Sequence, residues 1–508
     1  MPLATSDPTR QLRWSVYVIL IALSVGNLSG RILKVNSIDN ARLESYRISQ
    51  HLSSTRKKLV AEGLSDPVLA DRLAEEKKRL QTKLRLQRPF LSANDRSRWL
   101  AVRALVEQGA FEIDAPLQDA NWDTIDMVKH RGRDGQMHLY SSKPPLLTFL
   151  LAGEYWLLHK LTGMTLVEHP YLLGRVMLFS INVLPMILMF LIVASLNERF
   201  GTTDWGRIFI MAAATLGTML GPFAVVLNNH IIAAVSASVA IYCLVRSSDD
   251  DQPCYGTYAF AGLASAFTAA NELPALAFLV LVGFVLWRKS QRTWFVAFLP
   301  AAALVTGAFF ITNYAAHDSL RPPYMHRSVS NPDDNWYQYT YNRNGKERES
   351  YWQQHRQGID RGEPSRTTYS WHSILGHHGI ISLTPIWLLS AWGIWLWLLR
   401  GPSLQRQLAM GVGLLTLICL YFFLGLLPQI DRNYGGMTSG FRWMFWFTPL
   451  WLLVMIPAAD RLASSRWGQA MALVLLSFSV LSASYPTWNP WTHPWIYRWL
   501  EYCGWVGF

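Results

Sequence analysis

Long apolar stretches separated by short polar connections make up most of the chain. Eleven of these stretches are predicted transmembrane helices, and the first is long enough to cross about 30 Å of hydrocarbon. The first follows Arg10 and Arg13 and has no small-residue cleavage site, which predicts an uncleaved anchor. The eleven predicted spans are Trp14–Ile32, Tyr171–Leu196, Trp205–Leu227, Ile231–Val245, Thr257–Ala270, Pro274–Trp287, Thr293–Thr312, Ile380–Leu399, Leu408–Leu427, Phe441–Ala459 and Trp467–Ser484.

The basic residues of the short connections predict how the spans are oriented. Short loops rich in Lys and Arg face the cytosol. All the basic loops lie on the same side of the membrane if the apolar segment Pro144–Thr162 does not cross it. Glu154, His159 and Lys160 in this segment favour a helix that lies at the outer interface. The N-terminus is then cytosolic and the C-terminus extracytoplasmic. The basic connections are Arg199 with Arg207, Arg246, Arg288 with Lys289 and Arg292, Arg400 with Arg406, and Arg461 with Arg466.

Polar blocks divide the predicted all-α polytopic membrane protein into seven regions. Between Asp39 and Leu86, leucines recur at heptad or near-heptad spacing, while Gly63 and the pair Asp66-Pro67 supply a helix stop and a new start. This block predicts an antiparallel helical hairpin, or alternatively a partner-binding arm. The regions are the N-terminus with the first span (1–32), the hairpin insertion (33–90), the first outer loop (91–170), spans two to seven (171–312), the second outer loop (313–379), spans eight to eleven (380–484) and an aromatic outer tail (485–508).

Composition agrees with a membrane protein and excludes several other classes. The chain is 51% hydrophobic, and its mean hydropathy of +0.14 is unlike that of an ordinary soluble domain. The net charge is +12, but acidic residues interleave with basic ones in the hairpin, which argues against nucleic-acid binding. The cysteines Cys243, Cys254, Cys419 and Cys503 have no metal-like spacing, so a disulfide framework or a cysteine zinc site is not expected.

A Lys-Pro-Pro motif marks the most informative position. The first proline keeps Lys143 extended, and a proline in the first helical turn sacrifices no needed N–H. The following helix then directs its positive end and the Lys143 ammonium at one point just outside the bilayer, which suits a lipid phosphate. The alternative is that Lys143 only extends to the interface from an apolar surface.

The order of the motifs around this lysine resembles the membrane-embedded glycosyltransferases of the C-fold (GT-C) superfamily, in particular the lipid A aminoarabinose transferases and the protein O-mannosyltransferases. The likeness covers roughly residues 90 to 290, and beyond that only the topology supports it. The family's usual Asp-Glu pair is Asn94-Asp95 here. Ser142 stands where an acidic residue often precedes Lys-Pro-Pro, which weakens any carry-over of a metal site. The matching motifs are Asn94-Asp95 with Arg98-Trp99, then Tyr140-Ser-Ser-Lys143-Pro-Pro-Leu, then Leu173-Gly174-Arg175, then Asn197-Glu198-Arg199-Phe200-Gly201.

The resemblance implies a donor that carries a sugar on a polyprenyl phosphate and transfers it with inversion at the anomeric carbon. Such a reaction needs a carboxylate to take the acceptor's proton and cations to stabilise the leaving phosphate. Asp95 is the implied base, although its position equally suits a cap for the helix after it. Asp123 and Asp126 are further candidates, as bases or as structural or acceptor-binding groups.

The remaining candidates contact the donor or the sugar. Lys143 and Arg175 are expected to bind the lipid phosphate, with interfacial anchoring as the alternative for Arg175. Tyr434 and Arg442 stand in a second outer cluster, which either clamps phosphate or sugar or is a basic turn. Tyr140, His230 and Glu272 are further substrate-binding candidates. The alternatives are that His230 is a solvated turn residue and that Glu272 shapes a turn.

The sequence therefore predicts an integral membrane glycosyltransferase, in a plasma membrane that is a bacterial inner membrane. Its partners are a polyprenyl-phosphate sugar and an extracytoplasmic acceptor that is a lipid, a glycan or a protein. No cofactor is established, and a divalent metal stays open because no His and carboxylate set has strong ligand spacing. The alternatives are a transporter or scaffold for lipid-linked sugars, or a glycan ligase or polymerase.

Overall fold

Helices account for most of the chain. The structure, a computed structural model, describes residues 8–63, 65–83, 90–119, 122–249, 252–328, 330–343, 345–353, 356 and 358–506. The first ten helices are α1 Pro8–Ala61, α2 Asp66–Lys83, α3 Ala93–Glu107, α4 Asp114–Gln118, α5 Pro145–Thr162, α6 Pro170–Leu178, α7 Leu184–Phe200, α8 Asp204–Leu216, α9 His230–Asp249 and α10 Tyr255–Asn271. The others are α11 Leu276–Lys289, α12 Gln291–Thr293, α13 Leu299–His317, α14 Arg366–Ile374, α15 Ile380–Leu383, α16 Trp387–Arg400, α17 Ser403–Leu420, α18 Thr448–Ala463, α19 Arg466–Ser484 and α20 Trp495–Tyr502.

Eight helical segments of the described chain are long and apolar enough to cross a membrane, which confirms the polytopic helical fold. Single π-helical turns at Phe179–Val183 and Trp294–Phe298 join α6 to α7 and α12 to α13 into continuous segments. The other three predicted spans lie in α10, in α11 and in α15 with α16, so a total of eleven stays a prediction. The eight segments are Pro8–Leu33, Pro170–Phe200, Asp204–Val225, His230–Asp249, Gln291–His317, Ser403–Leu426, Arg442–Ala463 and Arg466–Ser484.

The first helix differs from the expected boundary between span and hairpin. It runs without a break for 54 residues, from Pro8 to Ala61, because no helix-stopping residue separates the apolar part from the polar part. The chain turns at Gly63, whose φ of +74° suits glycine, and α2 packs back against α1. The hairpin's first arm is thus the continuation of the first span. Leu84 and Leu86, which contributed to the leucine pattern, lie outside the described residues.

Ion pairs hold together the helix ends that lie next to the basic connections. Arg13 Nη2 lies 2.8 Å from Glu198 Oε2, and Arg13 Nη1 lies 2.7 Å from Asp204 Oδ1. Arg199 pairs with Asp249. These contacts join the ends of α1, α7, α8 and α9 at one end of the bundle, the end predicted to face the cytosol.

The two predicted outer loops, residues 91–170 and 313–379, form one joint layer over other helix ends, which we call the polar layer. Strand β1, Met127–Arg131, pairs antiparallel with β2, Met137–Ser141, and β3, Thr340–Arg343, pairs antiparallel with β4, Lys346–Glu349. Lys129 N donates to Trp336 O at 2.9 Å, which ties the first hairpin to the second polar block. The fold therefore has two small hairpins in an otherwise helical described chain.

We expect the contact between α16 and α18 to tolerate no side chain at Gly393. A Cβ there would collide with the Val454 carbonyl oxygen, so the two helices depend on glycine for their close approach. Gly393→Ala should lower the free energy of unfolding by about 1–3 kcal/mol. Thermal unfolding in detergent measures this. Gly307→Ala is the matched control because a Cβ there meets nothing within 4 Å, and equal unfolding temperatures for the two variants would contradict the prediction.

A candidate active-site cavity at the helix ends

A cavity of about 720 Å³ lies where the polar layer covers the ends of α9, α10 and α17. One part of its wall is apolar and the other is strongly charged, so it can accept an amphiphilic ligand. The apolar side chains include Leu146, Leu147, Leu273, Phe422, Phe423, Leu427 and Trp443. The charged ones are Arg96, Arg98, Lys143, Arg327, Arg442, Asp126, Glu272, Asp360 and Asp431.

The first hairpin places Lys143 beside Asp126. Asp126 precedes β1 and Ser142 follows β2, so closing the hairpin brings the two ends of the segment together. Lys143 Nζ lies 2.5 Å from Asp126 Oδ2, and Ser142 Oγ donates to Asp126 Oδ1 at 2.6 Å. Burial opposes ionisation of Asp126, but the charge and hydrogen bonds of Lys143 and Ser142 outweigh it and keep the pKa of Asp126 below its ordinary value.

Arg98 reaches the same cavity from α3. Its Nη2 donates to Asn229 Oδ1 at 2.7 Å, and Asn229 Nδ2 donates to Glu272 Oε1 at 2.8 Å. Burial lowers the pKa of Arg98 to about 10, so the guanidinium stays charged at neutral pH. Asn229 thus links Arg98 to Glu272 and fixes where the positive charge lies.

His230 links the same carboxylate to a second arginine. Its Nδ1 lies 2.5 Å from Glu272 Oε1, and its Nε2 lies 3.0 Å from Arg442 Nη1. A guanidinium only donates, so Nε2 accepts, and the proton on Nδ1 points to the carboxylate. His230 is 1% exposed, hence it is not a solvated turn residue. Arg442 also donates from Nε to Gly435 O at 3.0 Å.

Two carboxylates therefore hold three cations around one cavity. Asp126 holds Lys143 directly, whereas Glu272 holds Arg98 and Arg442 through a neutral amide and a neutral imidazole. Burial lowers the pKa of Lys143 to about 8, and the two arginines add to this because like charges repel. The arrangement can receive an anion without reorganising, since the cations are already fixed in place.

A fourth cation joins the site from the second polar block. Arg327 Nη1 lies 2.8 Å from Asp431 Oδ1, and its guanidinium lies 4.1 Å from the ring centroid of Tyr337. Sequence reasoning assigned no role to Arg98, Asn229 or Asp431. The available signal for Arg98 was its place in the motif after Asn94-Asp95.

Asp95 lies outside the lining of the cavity, and its contacts are those of a structural group. Oδ1 accepts hydrogen bonds from Trp99 Nε1 and Leu227 N, both at 2.9 Å, and Oδ2 accepts one from Leu91 N at 3.2 Å. Its own backbone N–H donates to Ser92 Oγ, the cap of α3. Burial raises the pKa of Asp95 to about 7. The side chain joins the start of α3 to the segment before α9.

Four other predicted residues also lie outside the lining. The Arg175 guanidinium lies 5.5 Å from the ring centroid of Tyr171 on its own helix. Tyr434 is buried, has a φ of +59° and stacks on His378. The structure therefore brings together Asp126, Lys143, His230, Glu272 and Arg442, and it places Asp95, Arg175, Tyr434, Asp123 and Tyr140 elsewhere.

Asp123 and Tyr140 serve other contacts within the polar layer. The Asp123 backbone oxygen accepts a hydrogen bond from Arg96 Nε, and Tyr140 OH donates to Glu112 Oε1 at 3.1 Å. No group of three or more His, Cys, Asp or Glu side chains within the described part of the chain could hold a metal ion.

Comparisons with known proteins give one structural similarity. No protein-family model matches the chain, and no curated protein sequence matches it. Among solved structures, the chain is similar to the crystal structure of ArnT from Cupriavidus metallidurans in the apo state, with a TM-score of 0.40 and 13% sequence identity. The alignment covers 76% of this chain and 58% of that chain, so the chain spans less than two thirds of that protein.

We expect Asp95→Asn to destabilise the protein. The amide would turn an N–H donor toward groups that themselves donate, leaving a buried N–H without an acceptor. The expected loss is about 1–3 kcal/mol in the free energy of unfolding, measured by thermal unfolding in detergent. Asp333→Asn, at an exposed position, is the matched control. An Asp95→Asn variant as stable as this control would show that the three hydrogen bonds contribute little.

Proposed function

We propose that the chain is an integral membrane glycosyltransferase that moves a sugar from a polyprenyl-phosphate donor to an extracytoplasmic acceptor. The observation that carries the proposal is the trio Arg98, Lys143 and Arg442, held by two carboxylates around a cavity that also has an apolar wall. A polyprenyl-phosphate sugar has a charged phosphate between an apolar tail and a polar sugar. The order of motifs around Lys143, which resembles that of the C-fold glycosyltransferases, supports the same proposal.

The two sides of the cavity suit the two ends of such a donor. The lipid would lie against Leu146 and Leu147, in the first turn of α5, and against Phe422 and Phe423, near the end of a helical segment apolar enough for a membrane. The sugar would extend toward the polar layer, where Tyr337 and its neighbours offer aromatic faces. The phosphate then falls between them, at the cationic trio.

The trio acts on the leaving group in this proposal. As the bond between the anomeric carbon and the phosphate oxygen breaks, the electron pair and the negative charge remain on the phosphate. Donors fixed around a developing charge stabilise it without reorganising during the reaction, and one such donor contributes about 10²–10³-fold in rate. A phosphate that leaves as a weak base needs no general acid.

Asp126 is our proposed base. The acceptor's oxygen or nitrogen bonds to the anomeric carbon from the face opposite the phosphate, and its proton passes to an Asp126 carboxylate oxygen. Asp126 is suited because it lines the cavity next to the trio and its lowered pKa keeps it ionised at neutral pH. Asp95, the residue that the family motif implies, we assign to positioning, because it does not line the cavity and its oxygens accept N–H groups from the surrounding fold.

The test is transfer of a labelled sugar from a polyprenyl-phosphate donor by the purified protein. Lys143→Ala and Arg442→Ala should each lower kcat about 10²–10³-fold, because each removes a cation from the departing phosphate. Lys160→Ala is the matched control, since Lys160 is exposed on the same helix, α5, and does not line the cavity. Asp126→Asn should abolish transfer while donor binding persists.

Other outcomes of this experiment identify the alternatives. Full activity in Asp126→Asn together with no activity in a folded Asp95→Asn variant would return the base to Asp95. Donor binding without transfer by the wild type would favour a transporter or scaffold for lipid-linked sugars. Activity unchanged in both Lys143→Ala and Arg442→Ala would contradict the phosphate site.

A further inference from the structure

Four histidines lie together next to the segment that carries Arg442, and we call them the histidine cluster. The rings of His372 and His377 stack with their centroids 3.9 Å apart, and those of His377 and His378 are 4.7 Å apart. The ring of His493 lies 6.0 Å from that of His378. His372 belongs to α14 and His493 precedes α20, so the cluster joins the second outer loop to the last part of the chain.

A hydrogen bond inside the cluster requires a neutral ring. His377 Nδ1 lies 2.5 Å from His378 Nδ1, so one nitrogen donates and the other must accept with a lone pair. A proton on the accepting nitrogen would turn two N–H groups toward each other. His377 is 4% exposed and His378 is fully buried, so neither ring can turn to water while the cluster is closed. The closed cluster therefore excludes protonation of both rings.

The cluster has no carboxylate of its own to compensate a positive charge. Within the described part of the chain, the histidines that form ion pairs are His138, His230 and His326, none of which belongs to the cluster. Phenol rings, which are neutral in acid, and a few more distant charges of both signs face the cluster. These groups are Tyr434 and Tyr369, Tyr497, Glu363 on the side of His372, Arg498 with Glu501 on the side of His493, and Asp431 with Arg432 beyond Tyr369.

The protonation states at neutral pH agree with this geometry. Burial lowers the pKa of His377 to about 3 and that of His493 to about 4, and it also lowers the pKa values of His372 and His378. If the cluster opened to water, each ring would titrate near pH 6.5. The open form thus binds protons that the closed form rejects. Below about pH 6.5, acid shifts the equilibrium toward the open form, by up to about tenfold per pH unit for each histidine.

Tyr434 connects the cluster to the cationic trio. The ring of His378 stacks on that of Tyr434 at 4.9 Å, with 16° between the planes, and His377 lies 5.0 Å from the same ring. Tyr434 has a φ of +59°, which a tyrosine rarely adopts and which its packing must maintain. The next residue, Gly435, accepts a hydrogen bond from Arg442 Nε at 3.0 Å through its backbone oxygen. The rings of the cluster therefore help to fix the position of Arg442.

We propose that the histidine cluster is an acid-sensitive switch that holds Arg442 in place at neutral pH and releases it in acid. Protons from solvent separate His377 from His378, Tyr434 loses its packing, and the Gly435 oxygen no longer orients the guanidinium. The anion site then binds lipid phosphate more weakly. The polar layer is predicted to face outward, where the pH follows the surroundings. The effect on the lipid rests on the proposed function, whereas the opening of the cluster does not.

Hydrogen–deuterium exchange of the purified full chain at pH 7 and pH 5, without lipid, tests the opening. Exposure times are adjusted for the slower intrinsic exchange at pH 5. We expect exchange of residues 369–378 and 433–442 to rise at least about tenfold at pH 5. Helix α3, which contains no histidine, should keep its exchange, which separates local opening from global unfolding.

Variants that cannot take up the protons show whether the cluster causes the change. His377→Asn combined with His378→Asn places neutral amides near the two Nδ1 positions and should remove most of the increase. His378→Phe, which keeps a ring against Tyr434, should also reduce it. His51→Asn, at an exposed position in α1, is the matched control and should behave as the wild type. The switch is overturned if residues 433–442 exchange equally at the two pH values, if α3 opens to the same extent, or if both cluster variants retain the wild-type increase.

Binding of a polyprenyl phosphate at the two pH values tests the effect on the anion site. From pH 7 to pH 5 the wild type should lose affinity at least about tenfold more than the double asparagine variant. The comparison with the variant accounts for the titration of the lipid phosphate itself, whose second pKa is about 6. Equal losses in the two proteins would overturn the link to Arg442. No binding even at pH 7 would contradict the proposed function instead, and the exchange experiment would still decide whether the cluster opens.

Discussion

Burying positive charges where the polar layer meets the helix ends is the constraint on which this site depends. An isolated cation in such a place loses its hydration, and a carboxylate compensates only when the geometry is good. The chain meets this requirement by pairing Lys143 with Asp126 and by sharing Glu272 between two arginines. The same carboxylates determine where the positive charges point, so one set of contacts provides both stability and the arrangement of cations on which the proposed anion site rests.

The neutral linkers explain how one carboxylate serves two cations. A direct ion pair would neutralise an arginine locally and occupy its donors. Asn229 and His230 instead hold the two arginines in place relative to Glu272. They leave other guanidinium N–H groups of Arg98 and Arg442 for a ligand. The first hairpin supplies the third cation, because its closure brings Lys143 to Asp126.

Local sequence patterns predicted the helices and the place of Lys143 just before a helix start, and they did so for physical reasons. Hydrophobic segments of membrane length form helices because hydrocarbon leaves no other partner for the backbone, and the two prolines after Lys143 define a helix start. The continuous α1 was missed because the residues after the first span, among them Val35, Asn36 and Asp39, have low helix propensity and suggest a boundary. The link between His230 and Arg442 joins positions 212 residues apart, so only the tertiary fold reveals it. The prediction that Asp95 caps the helix was wrong, because Ser92 is the cap of α3. The Asp95 carboxylate instead accepts N–H groups from Leu91, Trp99 and Leu227, and the motif alone could not separate such a structural role from catalysis.

A direct binding measurement tests whether the cationic trio binds the phosphate of a lipid. Native mass spectrometry of the purified protein would compare a polyprenyl phosphate with the polyprenol of the same chain length. We predict that the phosphate lipid binds and the alcohol binds far more weakly, and that combining Arg98→Ala, Lys143→Ala and Arg442→Ala removes this difference in a folded protein. Equal binding of the two lipids by the wild type, or an undiminished preference in the triple variant, would contradict the claim.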